Sequence, residues 1–164
     1  MYYLGYALEQ MRGTFYRQVM FSEFELAIHE AVERGEALTG SRMTQIYGEI
    51  LKRYHGHDAG VMRITDRDMI EWAYIPHFYY NFYVYQYATS IAGAAYFVDR
   101  LQSGSDTARE TYIKFLEAGG SDYPLNILRS AGLDMTNRIP YDAVIDRMDA
   151  VMDEIELILD ARGS

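Results

Sequence analysis

The sequence is 164 residues long and carries 15 basic against 24 acidic side chains, a formal net charge of −9. Because such a surface repels phosphate groups, we expect neither nucleic acid nor an anionic membrane as a partner. The absence of cysteine excludes disulfides, thiolate zinc sites and a cysteine nucleophile. No signal peptide is recognisable and no apolar run has membrane-spanning length, so we expect a cytoplasmic protein.

The first part of the sequence has the periodicity of one long helix. Leu4, Leu8 and Phe15 belong to an apolar stripe with steps of three and four residues, and the stripe continues on a rotated face. This pattern predicts a helix that is bent near Gly13 and ends around Gly35.

A second amphipathic helix is predicted over residues 43–54, with Gly56 positioned to stop it. After a polar loop, Thr65 and Asp68 have the spacing of a capping box at the start of a short helix. Pro76 ends this short helix, because the residue before a proline is disfavoured in the helical region.

The stretch IPHFYYNFYVYQYATS, residues 75–90, contains seven aromatic rings, five of them tyrosines. Two apolar stripes run through it at helical spacing, which predicts a helix that is buried on both sides and central to the fold. One stripe comprises Tyr80, Val84, Tyr87, Ile91, Ala94 and Val98. The other comprises Phe78, Phe82, Tyr85, Thr89, Ala92 and Tyr96.

Three more helices are predicted, over residues 106–118, 124–131 and 140 to about 161. Pro124 and Pro140 occupy the first helical position, where proline is favoured. We therefore predict an all-α fold of about seven helices, which forms a single domain over residues 1–164.

Two histidine-containing stretches are candidate metal sites. His29 and Glu33 lie one turn apart, but the second histidine of a zinc peptidase motif is missing, which favours an exposed pair on a helix surface. His55, His57 and Asp58 lie in a polar loop, where solvated histidines are ordinary. A metal site there is a remote alternative, and we predict no metal ligand in this chain.

The aromatic stretch after Pro76 has two interpretations. Rings at helical spacing are usually core residues. Alternatively, His77 and one or two phenols converge and donate hydrogen bonds, either to a developing oxyanion or to a peptide backbone.

Three segments resemble, in order and spacing, the C-terminal part of oligoendopeptidase F, a member of the thimet-oligopeptidase-like zinc metallopeptidases. They are TFYRQVMFSEFELAIHEAVERGEALT, EWAYIPHFYYNFYVYQYATS and KFLEAGGSDYPLNILRSAGLDMT. The resemblance covers nearly the whole chain. It implies that full-length members bind zinc through a His-Glu-x-x-His helix and a glutamate on the next helix, both upstream of the resembling part. No zinc ligand or general base is therefore carried over to this sequence.

The resemblance also implies that His77 and tyrosines of the FYVYQY run line the substrate cleft. Against the more distant Tyr-Tyr-Gly-Tyr pattern, Tyr83 and Tyr85 match the second and last tyrosines, and Phe82 replaces the first and cannot donate. On a continuous helix, Tyr80 and Tyr85 would flank His77 and Tyr83 would point away. We expect His77, Tyr85 and Tyr83 to stabilise the oxyanion, and His77, Tyr80 and Tyr85 to bind substrate.

These observations predict the C-terminal substrate-binding segment of a zinc-dependent oligoendopeptidase, a fragment that is inactive alone. Its expected partners are short peptides and either the missing N-terminal zinc-binding segment or a second copy of itself. The alternative is a non-catalytic helical module that binds peptides or a protein. A fragment would expose an apolar patch and tend to self-associate, whereas a true module would be a stable monomer or a closed dimer.

Overall fold

The computed structural model describes residues 1–163, which form seven α-helices and contain no strand. This confirms the predicted all-α fold. The helices are α1 (Tyr2–Met11), α2 (Arg17–Glu33), α3 (Gly40–Tyr54), α4 (Tyr85–Gln102), α5 (Asp106–Ala118), α6 (Pro124–Ser130) and α7 (Ile139–Gly163). No helix within these residues is long and apolar enough to span a bilayer.

The chain divides into two compact units. The first, which we call the inner unit, is Tyr16–Gln86, and the second, the outer unit, combines Met1–Phe15 with the residues from Tyr87 onward. The names refer only to position along the sequence. That residues 1–164 form a single domain stays a prediction.

The predicted long helix is confirmed in extent, since residues 2–33 are helical throughout. A π-helical segment, Arg12–Tyr16, lies where the sequence predicted a bend at Gly13. The helix ends at Glu33, and Gly35 follows with a φ of 80°, in the left-handed region that glycine adopts without strain. The amide of Glu36 then donates to the carbonyl of Ala31 at 2.9 Å, which satisfies one of the last carbonyls of the helix.

In the inner unit, α3 packs against both α2 and a 3-10 helix, Asp68–Tyr74. Thr39 caps α3 by accepting a hydrogen bond from the amide of Arg42 at 3.2 Å. Asp68 accepts from the amide of Thr65 at 2.7 Å, which is one of the two hydrogen bonds of the predicted capping box, and the 3-10 helix begins at Asp68 itself. The fully or nearly fully buried core residues are Met20, Phe21, Phe24, Ile46, Tyr47, Ile50, Leu51, Ile64 and Val84.

The outer unit has a smaller buried core, formed by Tyr96, Phe97, Ala131 and Leu133. Rings of α5 pack against it, with the Phe97 and Phe115 centroids 5.0 Å apart and nearly parallel. In the same unit, α1 contacts α7. The predicted bounds of α5 are confirmed, and those of α6 and α7 are confirmed to within two residues.

The predicted central helix is wrong in two respects. It does not begin near Phe78, because α4 begins at Tyr85, after a short 3-10 helix and a turn. It is not buried on both sides either, since Ala94 and Val98 of the first stripe are exposed. The helix buries one face, through residues such as Ala92 and Tyr96, whereas Ala94 and Val98 on the first stripe are accessible to solvent.

Candidate functional site

The residues predicted to bind substrate lie where the chain turns between two helical segments. Ile75 is extended, as expected before Pro76, and Pro76–Tyr79 forms a single 3-10 turn. The amide of Tyr80 donates to the carbonyl of His77 at 3.0 Å. A non-helical segment then leads to Tyr85, the first residue of α4.

Three of the predicted residues, His77, Tyr80 and Tyr83, are brought together, and we call them the ring cluster. The His77 imidazole stacks on the Tyr83 ring with a centroid distance of 5.9 Å and an interplanar angle of 24°. Tyr80 meets both edge-on, at 6.3 Å from His77 and 5.8 Å from Tyr83. The prediction that Tyr83 points away from His77 is therefore wrong, because it assumed a continuous helix through residues that form a turn.

The ring cluster is accessible to a ligand. Tyr80 is 60% exposed and Tyr83 is 38% exposed, whereas His77 is partly buried. Tyr85 is 51% exposed at the start of α4. The cluster and Tyr85 thus place an imidazole and phenol groups, which are side chains able to donate hydrogen bonds, at the surface of the inner unit.

Not every ring of the stretch faces solvent. Phe78 packs edge-on against Phe21 at 5.4 Å and Phe24 at 5.1 Å, and Val84 is fully buried in the same core. The core interpretation is therefore correct for Phe78 and Val84, whereas the three polar rings of the cluster remain accessible.

Two residues of α2 contact the turn, and sequence reasoning assigned no such role to either. The carboxylate of Glu25, which is 1% exposed, accepts a hydrogen bond from the amide of Phe82 at 2.7 Å. The His29 ring lies 4.4 Å from the Phe82 ring. A signal for Glu25 was present, because Phe21, Phe24, Glu25 and Ile28 have core-face spacing, and a carboxylate at a core position needs a buried partner.

The sequence and the fold were compared with known proteins. The family model for peptidase family M3 matches residues 3–146. This chain belongs to peptidase family M3. Together with the relatives and the crystal structure described next, this match confirms the predicted resemblance to oligoendopeptidase F.

Curated relatives of this M3 chain include group B oligopeptidase PepB of Streptococcus agalactiae and oligopeptidase PepF of Bacillus subtilis. The former is 41% identical over 98% of this chain and the latter is 41% identical over 97% of it. The chain spans only 26% and 23% of their respective lengths. The crystal structure of oligoendopeptidase-F from Enterococcus faecium superposes with a TM-score of 0.88 at 32% identity, covering 98% of this chain and 30% of that one.

Family M3 is zinc-dependent in general, so we tested whether the side chains present fit a zinc ion. No group of three histidine, aspartate or glutamate residues within the described part of the M3 chain could hold a metal. The His57 imidazole accepts from the amide of Ile64 at 3.0 Å, and that of His55 lies 3.0 Å from the carbonyl of Leu51. The His57 contact lies within the polar loop and the His55 contact lies at the end of α3, and the described residues do not fit a zinc centre.

Proposed function

We propose that this chain provides the C-terminal substrate-binding part of a zinc-dependent oligoendopeptidase that cleaves short peptides. The observation that carries the proposal is the accessible ring cluster of His77, Tyr80 and Tyr83 on a turn anchored to α2. Membership of family M3 and the names of the oligopeptidase relatives support the same class of ligand.

In this proposal, the polar rings act as neutral hydrogen-bond donors to a peptide carbonyl. We assign His77, Tyr83 and Tyr85 to the carbonyl oxygen, and Tyr80, with His77 and Tyr85, to the neighbouring backbone. A donor aimed at an oxygen that becomes negative in the transition state strengthens as charge develops, so these groups bind the transition state more tightly than the substrate. A phenol does this without carrying a charge that would itself require a counterion.

The proposed peptidase needs a part that this sequence does not contain. No His-Glu-x-x-His motif occurs in the 164 residues, and the described side chains do not fit a zinc ion. We therefore expect the isolated chain to bind peptides without hydrolysing them, and to require an N-terminal zinc-binding segment for activity. A cysteine-free chain fits the reducing cytoplasm, where we place this function.

Peptide binding by the isolated chain tests the proposal. A dye-labelled library of short mixed-sequence peptides is titrated with the chain and followed by fluorescence anisotropy. We expect His77→Ala and Tyr83→Phe to weaken binding about tenfold, the usual effect of losing one such hydrogen bond. Tyr123→Phe is the matched control, because that phenol is 79% exposed and lies in the outer unit. Equal binding by the wild type and both cluster variants would contradict the proposal.

A second experiment separates the peptidase from a non-catalytic binding module. The chain is mixed with the part of Bacillus subtilis PepF that precedes the matched segment, and hydrolysis of a quenched fluorescent peptide is measured with zinc present. Activity that appears only in the mixture supports the peptidase. Peptide binding without activity in the mixture supports the module. Hydrolysis by the chain alone, with stoichiometric zinc, would contradict the expected inactivity.

A further inference from the structure

We infer that Glu25 is a positioning residue for the ring cluster, and that its buried carboxylate sets the arrangement of the peptide-binding rings through the backbone of Phe82. This inference rests on the proposed function. It adds a residue on α2, more than fifty positions away in sequence, that touches no substrate and yet fixes the groups that do.

Because Glu25 is buried, its carboxylate requires a hydrogen-bond donor within the fold. Among the side chains that the structure describes, it is the one charged residue that is fully buried, at 1% exposure. Removing a carboxylate from water is unfavourable unless it is paired or hydrogen-bonded. Its Oε1 accepts from the amide of Phe82 at 2.7 Å, a short charge-assisted hydrogen bond.

The backbone that Glu25 holds is unusual. Asn81 has a φ of 50° and Phe82 a φ of 58°, so two consecutive non-glycine residues lie in the left-handed region. Asparagine tolerates this region, but phenylalanine is disfavoured there because of its Cβ. Such a conformation persists only where surrounding contacts stabilise it. The Glu25 hydrogen bond and the His29 ring, 4.4 Å from the Phe82 ring, are two such contacts, and both come from α2.

The position of this turn explains its effect on the site. Residues 81 and 82 separate Tyr80 from Tyr83, so their dihedral angles decide whether the two rings meet. In the observed turn the rings are 5.8 Å apart, and Tyr83 also stacks on His77 at 5.9 Å. If Phe82 returned to an extended or right-handed conformation, Tyr83 would be carried away from the other two rings.

Substitution of Glu25 tests the inference with the dye-labelled peptide library as probe. We expect Glu25→Leu, which cannot accept the amide, to weaken binding about tenfold, as His77→Ala does. Glu25→Gln keeps an acceptor oxygen and should bind within about twofold of the wild type. Glu30→Leu is the control, since Glu30 is on the same helix but exposed. Hydrogen exchange of the Phe82 amide should accelerate in Glu25→Leu and remain slow in Glu25→Gln.

The turn itself provides a second pair of variants, which decides the question if Glu25→Leu fails to fold. Asn81 is exposed, so its substitution leaves the core intact. Glycine keeps the left-handed conformation and Asn81→Gly should bind as the wild type does. A β-branched residue opposes that conformation, and Asn81→Val should weaken binding about tenfold. Wild-type binding by Asn81→Val or by folded Glu25→Leu overturns the inference.

The two hypotheses fail in different ways. If His77→Ala weakens peptide binding and Glu25→Leu does not, the proposed function stands and the positioning role falls. If neither His77→Ala nor Tyr83→Phe affects binding, the proposed function itself falls.

Discussion

The inner and outer units bury their aromatic rings in different ways. In the inner unit, Phe24 and Tyr47 are completely buried, with centroids 5.2 Å apart, and the Trp72 indole donates to Thr44 at 3.0 Å. In the outer unit, the stacked Phe97 and Phe115 border a cavity of about 420 Å³. The core of the inner unit is thus closely packed and can hold a turn in one conformation, whereas the core of the outer unit borders an apolar cavity.

Exposed apolar side chains of the outer unit are not confined to the cavity. Leu116 of α5 and Leu157 and Leu159 of α7 are each more than half exposed. Exposed apolar side chains that form a patch mark contacts with another protein surface. One expected partner for these side chains is the proposed N-terminal zinc-binding segment. The other is a second copy of the chain. Self-association through this surface stays a prediction, and sedimentation of the purified chain measures it.

The largest expected effect of a single substitution is in the closed core. Phe24→Ala removes a fully buried ring that contacts Tyr47, Trp72 and Phe78, and should lower the free energy of unfolding by about 3–5 kcal/mol. Trp72 is the single tryptophan of the sequence, so its fluorescence during urea denaturation reports on the inner unit. Leu26→Ala, at a 50% exposed position of the same unit, is the control and should change stability by less than about 0.5 kcal/mol. Equal effects of the two would contradict the close packing of the inner core.

A smaller effect is expected from one buried hydroxyl. The Tyr47 phenol donates to Glu71, which also pairs with Arg17, and burial together with this hydrogen bond raises the Tyr47 pKa. Tyr47→Phe deletes a hydrogen bond to a charged group and should cost about 1.5–3 kcal/mol in urea denaturation. Tyr80→Phe, at a 60% exposed position, should be neutral for stability while weakening peptide binding. If Tyr80→Phe lowered stability as much as Tyr47→Phe, the ring cluster would belong to the core and would not be a binding site.

Replacement of glycine by alanine is expected to have opposite effects on stability at two positions inside helices. A methyl group on Gly48 of α3 would overlap the Met69 sulfur, so Gly48→Ala should destabilise by about 1–3 kcal/mol. On Gly93 of α4, the methyl would meet only Leu133 Cδ2, at 3.4 Å. Gly93→Ala should therefore stabilise by about 0.5–1 kcal/mol, because alanine loses less backbone entropy in a helix. Thermal melts followed by circular dichroism measure both, and destabilisation by Gly93→Ala would indicate tighter packing in the outer unit than the cavity implies.

Local signals made most of the fold predictable from the sequence. Gly35 and Gly56 stop their helices in left-handed conformations, and the Thr65–Asp68 spacing marks a helix start. Each of these helix stop and start signals involves only a few neighbouring residues, so it can be recognised from the local sequence.

The turn before α4 could not be predicted in that way. The helical pattern of residues 78–98 is real, but the amide of Phe82 bonds to a carboxylate that is 57 residues distant in sequence, which breaks the helix between Tyr79 and Tyr85. The predicted site residues His77 and Tyr83 are close together for the same reason. The signal available in the sequence was Glu25, a charged residue at a core position. Such a residue indicates that a hydrogen-bond donor lies nearby, but it does not identify the donor.

The smallest expected effect is a pH dependence of the inner unit. Burial, and then the hydrogen bond that Tyr54 donates to Glu23 at 2.9 Å, raise the pKa of the Tyr54 phenol to about 12. In the unfolded chain this pKa is about 10. Because the folded state holds the proton more tightly, the stability that the neutral phenol contributes is complete below about pH 10 and is lost as pH rises toward 12.

Comparison with Tyr54→Phe isolates this contribution from the other tyrosines. The difference in unfolding free energy between wild type and variant, measured by urea denaturation with Trp72 fluorescence, should be about 1 kcal/mol at neutral pH. It should then fall steadily between about pH 10 and pH 12, since only the wild type loses the bonded proton. Tyr2→Phe is the control, because Tyr2 is 79% exposed in the outer unit and its substitution should leave the profile unchanged. A difference that stays constant across this range would mean that Tyr54 ionises equally easily in both states, and that the inner unit is more open to water than its packing indicates.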